Sequence, residues 1–186
     1  MSGDGGNGAA RAQAPAAGPL VRLRRIARGD RDELIALARA STELHHPWIS
    51  LPATAAEFES YLTRFDQPGA VGLLVCERQT GAIAGLININ NIVRGNFQCG
   101  ALGYAAFAPL AGRGYLSEGL RLALGLAFGE LGLHRLEANI QPGNEASRRL
   151  VRRLGFRQEG YSPAFLRVDG AWRDHERWAV TSEMLA

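Results

Sequence analysis

Hydrophobic residues are concentrated in several short runs of the chain, which is typical of strands, and in the first run they alternate with charged residues. The first run is Val21–Ile26, and it predicts the first strand. Three later runs predict strands separated by hairpin-type turns at Thr80-Gly81 and at Arg94-Gly95-Asn96. These three strands are expected at Val71–Cys76, Ala82–Ile92 and Cys99–Ala108. The first half of the chain therefore predicts an antiparallel meander.

Other segments of the chain have apolar residues at helical spacing and predict helices before and after the meander strands. Asp30 and Thr54 are expected to cap two helices, the first carrying Leu34, Leu37 and Ala38 on its apolar face. Pro47 disfavours helical geometry at the residue before it and should end the first helix. The second half predicts a helix over Leu116–Leu131, a strand over Arg135–Gln141, a helix over Glu145–Leu154, and two strands joined at Val168–Ala171.

This order of elements indicates one mixed α/β domain, in which the meander leads into a β-α-β crossover. We expect the domain to cover residues 20–186, a length that allows a full hydrophobic core. Residues 1–19 are rich in Gly and Ala and lack the basic-then-apolar order of a signal peptide. They predict a disordered extension.

Composition excludes several classes of protein. The chain is 46% hydrophobic and 21% charged, which is typical of an ordinary soluble domain. The most apolar stretch, Gly119–Gly132, is interrupted by Arg121 and Glu130, so no membrane span is expected. Cys76 and Cys99 lie in apolar runs, which favours buried free thiols in a reducing cytoplasm over a disulfide.

The net charge of +3 comes largely from arginines near Val21–Arg31 and Arg148–Arg157. A basic excess can indicate nucleic acid, but no aromatic RNA motif or zinc spacing accompanies it. A solvated surface together with a site for a polyphosphate cofactor is the interpretation we favour.

A glycine-rich segment, Gly112–Glu118, follows the strand that ends before Pro109. Gly112 and Gly114 permit tight backbone geometry, and a helix then begins with unpaired N–H groups that suit a pyrophosphate. Ser117 is expected to cap this helix, and Arg113 adds positive charge. The alternative is a glycine-rich turn that only closes a strand–helix unit.

A second segment, Asn144–Phe156, predicts a short helix with Asn144 as its N-cap and Gly155 just past its last turn. Leu150 and Leu154 lie on its apolar face, and arginines cover the rest. Taken alone, the segment is more typical of a capped amphipathic surface helix than of a binding site.

The two segments together resemble motifs A and B of the GNAT N-acetyltransferases. The resemblance rests on the residues at 112–115, 131–140, 144–147 and 152–156, and it is greatest to ribosomal-protein-alanine acetyltransferases of the RimJ type. The tail from Gly160 to His175 resembles the same branch, through its Asp-Gly-x-Trp-x-Asp-His stretch. The resemblance runs from Val21 to the end of the chain and is weaker before Val71.

This resemblance implies a GNAT fold, with a mixed sheet of about six to seven strands flanked by about four helices. It implies a parting between the fourth and fifth strands, where acetyl-CoA binds. No metal is implied. The cofactor-binding positions that it implies are Ala106, Phe107, Gly112, Arg113, Gly114, Tyr115, Leu116, Ser117, Asn144 and Ser147.

The chain also departs from the family pattern. Ala111 stands where motif A usually has Gln or Arg, and Leu116 stands where it has Gly or Ala. Val151 stands where many members place a tyrosine that acts as general acid. The leaving thiolate must then be protonated by another group, such as Ser147, or by water.

Acetyl transfer to an amine requires a base that takes the amine proton. Glu137 is the first candidate for that base, with a structural partnership with Arg135 as the alternative. Tyr104 is the second candidate, and Asp174 and His175 are expected on the acceptor side. The pair His45-His46 lacks a third ligand at metal-binding spacing, and the loop Leu44–Leu51 is expected to border the acceptor site.

The sequence therefore predicts a cytoplasmic enzyme that transfers acetyl from acetyl-CoA to a primary amine, most readily the N-terminus of a protein such as a ribosomal protein. A small-molecule amine is the alternative acceptor. A CoA-sensing protein without turnover, and a basic ribosome- or nucleic-acid-binding module, are the alternative functions. Association with the ribosome is a possible partnership, and the chain is expected to be a monomer or homodimer.

Overall fold

The computed structural model describes residues 16–185, and the rest of the predicted extension, residues 1–15, lies outside the described range together with residue 186. Its central element is one seven-stranded sheet with the order β1-β2-β3-β4-β5-β7-β6. The strands are β1 (Val21–Arg25), β2 (Val71–Glu77), β3 (Ile83–Val93), β4 (Cys99–Ala106), β5 (Arg135–Ile140), β6 (Arg157–Val168) and β7 (Ala171–Thr181).

Strands β1 to β4 form the predicted antiparallel meander, and β4 pairs with β5 in parallel. A parallel pair needs a crossover, which is supplied by the long helix between these two strands. Beyond β5 the sheet continues antiparallel through β7 to β6. The mixed sheet and its meander-then-crossover order are confirmed.

Five α-helices lie within residues 16–185. They are α1 (Arg31–Ala40), α2 (Thr42–His45), α3 (Ala55–Leu62), α4 (Tyr115–Phe128) and α5 (Glu145–Arg153). Helices α4 and α5 pack on one face, where Leu120, Leu136 and Leu150 belong to one buried cluster. Helices α1 and α3 cover part of the other face, where Leu34 and Phe58 belong to a second cluster. We call the face covered by α4 and α5 the α5 face, and the face partly covered by α1 and α3 the α3 face.

Local sequence signals explain some of the helix ends. Thr54 caps α3 as predicted, because its hydroxyl accepts a hydrogen bond from the Glu57 N–H at 3.3 Å. Asp30 precedes α1, but its carboxylate accepts hydrogen bonds from Arg24 and from the Ala27 N–H instead of capping α1. Helix α4 ends at Phe128, three residues before the predicted end, with Gly129 following it.

Two further expectations are corrected. Residues 16–19 belong to the folded part, since the Gly18 N–H donates to the Val21 carbonyl and the Leu23 N–H donates to the Ala16 carbonyl. Cys76 is buried as predicted, but Cys99 at the start of β4 is only partly buried; both thiols are free.

No helix within residues 16–185 combines the length and the apolar character needed to cross a membrane.

Candidate active site at the parting of two strands

Strands β4 and β5 are hydrogen-bonded along only part of their length. Their pairing runs from Cys99 opposite Arg135 to Leu102 opposite Ala138, and then stops. Beyond this point the two strands separate around a cavity of about 340 Å³, which we call the donor gap. The parting between the fourth and fifth strands is therefore present where it was predicted.

Backbone groups of β4 face this gap. The Phe107 N–H donates to the Ala84 carbonyl of β3 at 2.9 Å, and strand alternation therefore turns the polar groups of Ala106 away from β3. An extended ligand can pair with a strand edge exposed in this way. Phe107 itself is turned away from the gap, because its N–H is bonded to β3 and its side chain is buried on the α3 face.

Two buried side chains hold β4 where it leaves the sheet. His45 Nε2 donates to the Ala106 carbonyl at 2.8 Å, and Ser41 Oγ accepts from the Ala108 N–H at 2.9 Å. The Ser41 hydroxyl in turn donates to the Leu37 carbonyl at 2.7 Å. We call Ser41 and His45 the strand clamp. Nothing in the sequence signals it, because each contact joins residues more than sixty positions apart.

The glycine-rich turn directly precedes the start of α4, where Leu116 is the residue that lines the gap. Gly112 and Gly114 have φ angles of +79° and +83°, which side-chain-bearing residues rarely adopt, and no atom lies within 4 Å of a Cβ built at either glycine. Helix α4 begins directly after Gly114, so its first N–H groups are unpaired and its dipole favours an anion there. Ser117 is not the cap, because the helix begins two residues before it.

Helix α5 brings polar groups to the other side of the gap. Asn144 caps α5 as predicted, because its Oδ1 accepts from the Ser147 N–H at 3.1 Å. Both residues line the gap, and so do Ala106 and Leu116 among the predicted cofactor-binding residues. Val151 is buried in the core and carries no exchangeable proton.

A tyrosine and a serine meet across the gap. Tyr104 of β4 and Ser147 of α5 share a hydrogen bond of 2.5 Å between their hydroxyl oxygens. Burial raises the pKa of Tyr104 to about 12, and the Ser147 hydrogen bond offsets only part of this rise. The phenol is therefore protonated at neutral pH and can donate a proton, which argues against Tyr104 as the base.

Glu137 stands apart from the gap. Its carboxylate accepts from Arg135 Nε at 3.0 Å and from a terminal guanidinium nitrogen of Arg177 at 2.8 Å. Burial alone would raise the pKa of Glu137, but these two hydrogen bonds outweigh it and lower that pKa. Glu137 does not belong to the lining of the donor gap, and its surroundings favour the structural partnership with Arg135.

The two tail residues differ in position. Asp174 is exposed, and its carboxylate accepts from the Ala164 N–H at 2.8 Å and from the Tyr161 hydroxyl. His175 is buried and lines the donor gap. Asp174 thus stabilises the β6–β7 hairpin, whereas His175 lies at the site.

A second cavity of about 550 Å³ opens on the α3 face, and we call it the acceptor groove. Loop residues Ile49–Pro52 and helix residues Glu57 and Tyr61 contribute to its lining, together with Arg64 just beyond α3. The groove and the donor gap share Ile49 and Gly103–Ala105 in their linings. A group entering by the groove can therefore reach the gap through the sheet.

The loop beside the groove is fastened at two points. Gln141 Nε2 donates to the Trp48 carbonyl at 3.0 Å, and the Trp48 ring lies against Gly143. Ser50 donates a hydrogen bond to Asp169 at the tip of the β6–β7 hairpin. The loop Leu44–Leu51, expected to border the acceptor site, thus lies between the two cavities.

These residues fit acetyl-CoA. The open glycine turn suits its pyrophosphate, and the β4 edge suits its pantetheine arm. When bound, it supplies an activated acetyl thioester. Among residues 16–185, no three His, Cys, Asp or Glu side chains are grouped as metal ligands would be.

Comparison with known proteins agrees with this geometry. The chain is 40% identical over 100 residues to the [ribosomal protein uS5]-alanine N-acetyltransferase of Escherichia coli K12, which covers 54% of this chain and 52% of the relative. The chain thus spans about half the length of the curated relatives it matches.

Solved structures match over most of the chain. Mycobacterium smegmatis RimJ in complex with CoA-disulfide superposes with a TM-score of 0.82 and 26% identity, covering 93% of this chain and 92% of that one. Spermidine N-acetyltransferase from Vibrio cholerae, in complex with CoA and spermine, superposes with a TM-score of 0.76 over 89% of this chain and 98% of that one. Its identity is 20%, so this likeness concerns the fold alone.

A family model gives the same answer for the larger part of the chain. Residues 21–157 match the model described as an acetyltransferase (GNAT) domain. This match includes the parting, the glycine turn and the helix that carries Ser147. The chain belongs to the GNAT acetyltransferase domain family.

Proposed function

We propose that this protein transfers an acetyl group from acetyl-CoA to the N-terminal α-amine of a protein, such as a ribosomal protein. The observation that carries the proposal is the meeting of the donor gap and the acceptor groove at Gly103–Ala105. An acetyl thioester held in the gap and an amine entering by the groove would meet at one stretch of β4. The alanine-specific relative from Escherichia coli supports a protein N-terminus as acceptor.

The charges of the groove favour a peptide over a polyamine. A polyamine carries several ammonium groups, and a site for it needs several free carboxylates. Glu57 is the only carboxylate in the described lining of the groove, and it already accepts from the Ala53 and Thr54 N–H groups. Arg64, also in the lining, would repel a polycation.

Side chains of this chain fill the role that Val151 leaves open. The Tyr104–Ser147 pair places two hydroxyl groups in the gap, close to where helix α5 begins. In the proposed reaction Ser147 donates a proton to the leaving sulfur, and Tyr104 passes a proton to Ser147. This pair favours a catalyst over a CoA sensor without turnover.

An acceptor screen tests the proposal. Purified protein is incubated with acetyl-CoA and, separately, with peptides carrying N-terminal Ala, Ser or Met, with spermidine, and with an aminoglycoside. CoA thiol release gives the rate, and mass spectrometry locates the acetyl group. We expect peptide α-amines to give the highest kcat/KM. Turnover with spermidine or the aminoglycoside alone would overturn the protein acceptor, and CoA binding without any thiol release would favour the sensor.

A further inference from the structure

His175 lies on the side of the sheet from which an acceptor would arrive. Its neighbours along β7, Glu176 and Trp178, face α5, since Trp178 belongs to the cluster on that face. Because side chains alternate along a strand, His175 faces the opposite, α3 side. Only 3% of the residue is exposed, and it lines the donor gap.

A hydrogen bond fixes which ring nitrogen of His175 can accept a proton. Nδ1 lies 2.9 Å from the Arg173 carbonyl oxygen, and a carbonyl can only accept, so Nδ1 carries the hydrogen. The neutral ring therefore holds its lone pair on Nε2. Among residues 16–185, the hydrogen bond of the ring is the one made by Nδ1, and the cavity that His175 lines is the donor gap.

We propose that His175 is the general base, and that its Nε2 removes a proton from the acceptor amine. This inference rests on the proposed acetyl transfer. From the ammonium form, one N–H proton passes to Nε2 and then to solvent, leaving the nitrogen lone pair free. The nitrogen bonds to the acetyl carbon and loses a second proton to solvent. This second proton balances the one that Ser147 donates to sulfur as the C–S bond breaks.

The position of His175 complements that of the proton donor. Ser147 approaches the gap from the α5 face, whereas His175 approaches it from the α3 face. An acid and a base on opposite sides can serve the leaving sulfur and the arriving amine without exchanging protons with each other. Glu137, the other candidate, is held by Arg135 and Arg177 outside the gap.

The surroundings of His175 keep its ring neutral. Burial lowers the pKa of His175, while the Arg173 carbonyl and the Asp174 carboxylate partly offset this effect. On β6, Phe165 packs edge-on against the ring, and Arg177 stacks over Phe165. Across the gap the polar groups are Tyr104 on β4 and His45 on α2, and Glu176 points to the other face with Arg148. A neutral imidazole is the form that accepts a proton.

The variant His175→Asn tests the assignment. The Asn amide stands near the place of Nδ1 and can still donate to the Arg173 carbonyl, but nothing replaces Nε2. General-base catalysis typically contributes ~10²–10⁴-fold, and we expect kcat at pH 7 to fall about 100-fold. CoA affinity should stay within about twofold, because the pyrophosphate and pantetheine positions are untouched. His134→Asn, at an exposed histidine before β5, is the matched control and should leave kcat unchanged.

The pH dependence separates a base from a structural residue. An α-amine loses its proton near pH 7.7–8.0, so the need for a base decreases above that range. The ratio of wild-type to His175→Asn activity should fall by about tenfold between pH 6.5 and pH 9.5. An equal loss at every pH would overturn the proposal, and so would a loss of less than about threefold at pH 7.

A measurement on the free wild-type protein does not depend on turnover or on the variant folding. Nitrogen-15 NMR of labelled histidines reports the protonated nitrogen of each ring and its pKa. We expect the Nδ1–H form of His175 with a pKa below the ordinary value of about 6.5. An Nε2–H ring, or a ring still charged at pH 7.5, would overturn the proposal.

The outcomes distinguish this inference from the proposed function. The kinetic comparison uses the amine that the wild-type protein acetylates fastest in the screen. If that amine is spermidine, the protein acceptor is overturned while the role of His175 is still decided by the pH ratio. If no amine releases thiol, both proposals are overturned.

Discussion

The donor gap and the acceptor groove meet at the same three residues of β4, yet they are built differently. The gap presents the backbone of β4 at Ala106, and its side chains Tyr104 and Ser147 are bonded to each other. The turn at Gly112 and Gly114, just before the lining residue Leu116, offers further backbone groups. The groove presents side chains, such as Glu57, Tyr61 and Arg64, from a helix and a loop. A site made of backbone tolerates sequence change, whereas each side-chain substitution in the groove changes what it can bind.

This difference explains how the departures from the family pattern can be tolerated. Ala111 and Leu116 replace the usual motif A residues, but the left-handed φ angles at Gly112 and Gly114 and the start of α4 remain. The N–H groups that suit a pyrophosphate do not depend on either side chain. Val151 is a different case, because its side chain has no proton to donate and the proton must come from another group or from water.

The largest expected effect is at Ser147, the proposed proton donor. Ser147→Ala removes the hydroxyl but keeps the backbone N–H that Asn144 caps, so α5 should stay intact. We expect kcat to fall about 100-fold with little change in the KM for acetyl-CoA. Tyr104→Phe should lower kcat by less, about tenfold. The double variant should lower kcat by less than the product of the two single effects, since the residues act as a pair. A multiplicative double variant would contradict the pairing.

The next effect tests the backbone character of the gap. Gly114→Ala forces a left-handed residue with a Cβ, at a cost of ~1–2 kcal/mol. Straightening the turn to relieve this strain would misplace the first N–H groups of α4, and we expect CoA to bind about tenfold more weakly by calorimetry. The matched control is Gly125→Ala inside α4, which should stabilise the protein by ~0.5–1 kcal/mol. Unchanged CoA affinity in Gly114→Ala would show that the turn is not the pyrophosphate seat.

A smaller effect is expected in the groove. The Arg64 guanidinium lies 4.4 Å from the centre of the Tyr61 ring and has no carboxylate partner among the described residues. It can donate to carbonyl oxygens of a bound peptide, a hydrogen bond of ~1 kcal/mol. Arg64→Gln should therefore raise the peptide KM about fivefold and leave the KM for acetyl-CoA unchanged. Arg121→Gln, on the far side of the sheet, is the control, and a shift in the acetyl-CoA KM instead would contradict the assignment of the two cavities.

The smallest effect on turnover is expected at Glu137. Glu137→Gln should change kcat less than about threefold but reduce the free energy of unfolding by ~1–2 kcal/mol, through weaker bonds to Arg135 and Arg177. The pKa of Glu137 is lowered in the folded protein, so its contribution to the free energy of unfolding is complete above the ordinary carboxyl pKa. That contribution is lost as the pH falls from there through the lowered pKa. Urea denaturation at pH 7 and at pH 3 measures the loss of unfolding free energy in the variant and the change of that loss with pH. A 100-fold loss of kcat would instead restore Glu137 as the base.

The sequence predicted what depends on neighbouring residues. The Asn144 cap, the glycine turn and the antiparallel meander follow from spacing within a few positions, and the structure confirms them. The strand clamp and the Tyr104–Ser147 pair join positions 43 to 67 residues apart, so only the assembled sheet shows them. The second partner of Glu137 is hidden from the sequence for the same reason, because Arg177 on β7 lies forty residues away.

The loop beside the groove has a consequence for protein engineering. Ser50 is bonded to the hairpin tip through Asp169, and Trp48 is bonded to the end of β5 through Gln141. A new amine specificity cannot be grafted by exchanging the loop alone, because a different segment would lose the Ser50 bond to Asp169 and the contact of the Trp48 ring with Gly143. The transferable unit is the loop together with the hairpin tip and Gln141, three pieces that are far apart in the gene and adjacent in the molecule.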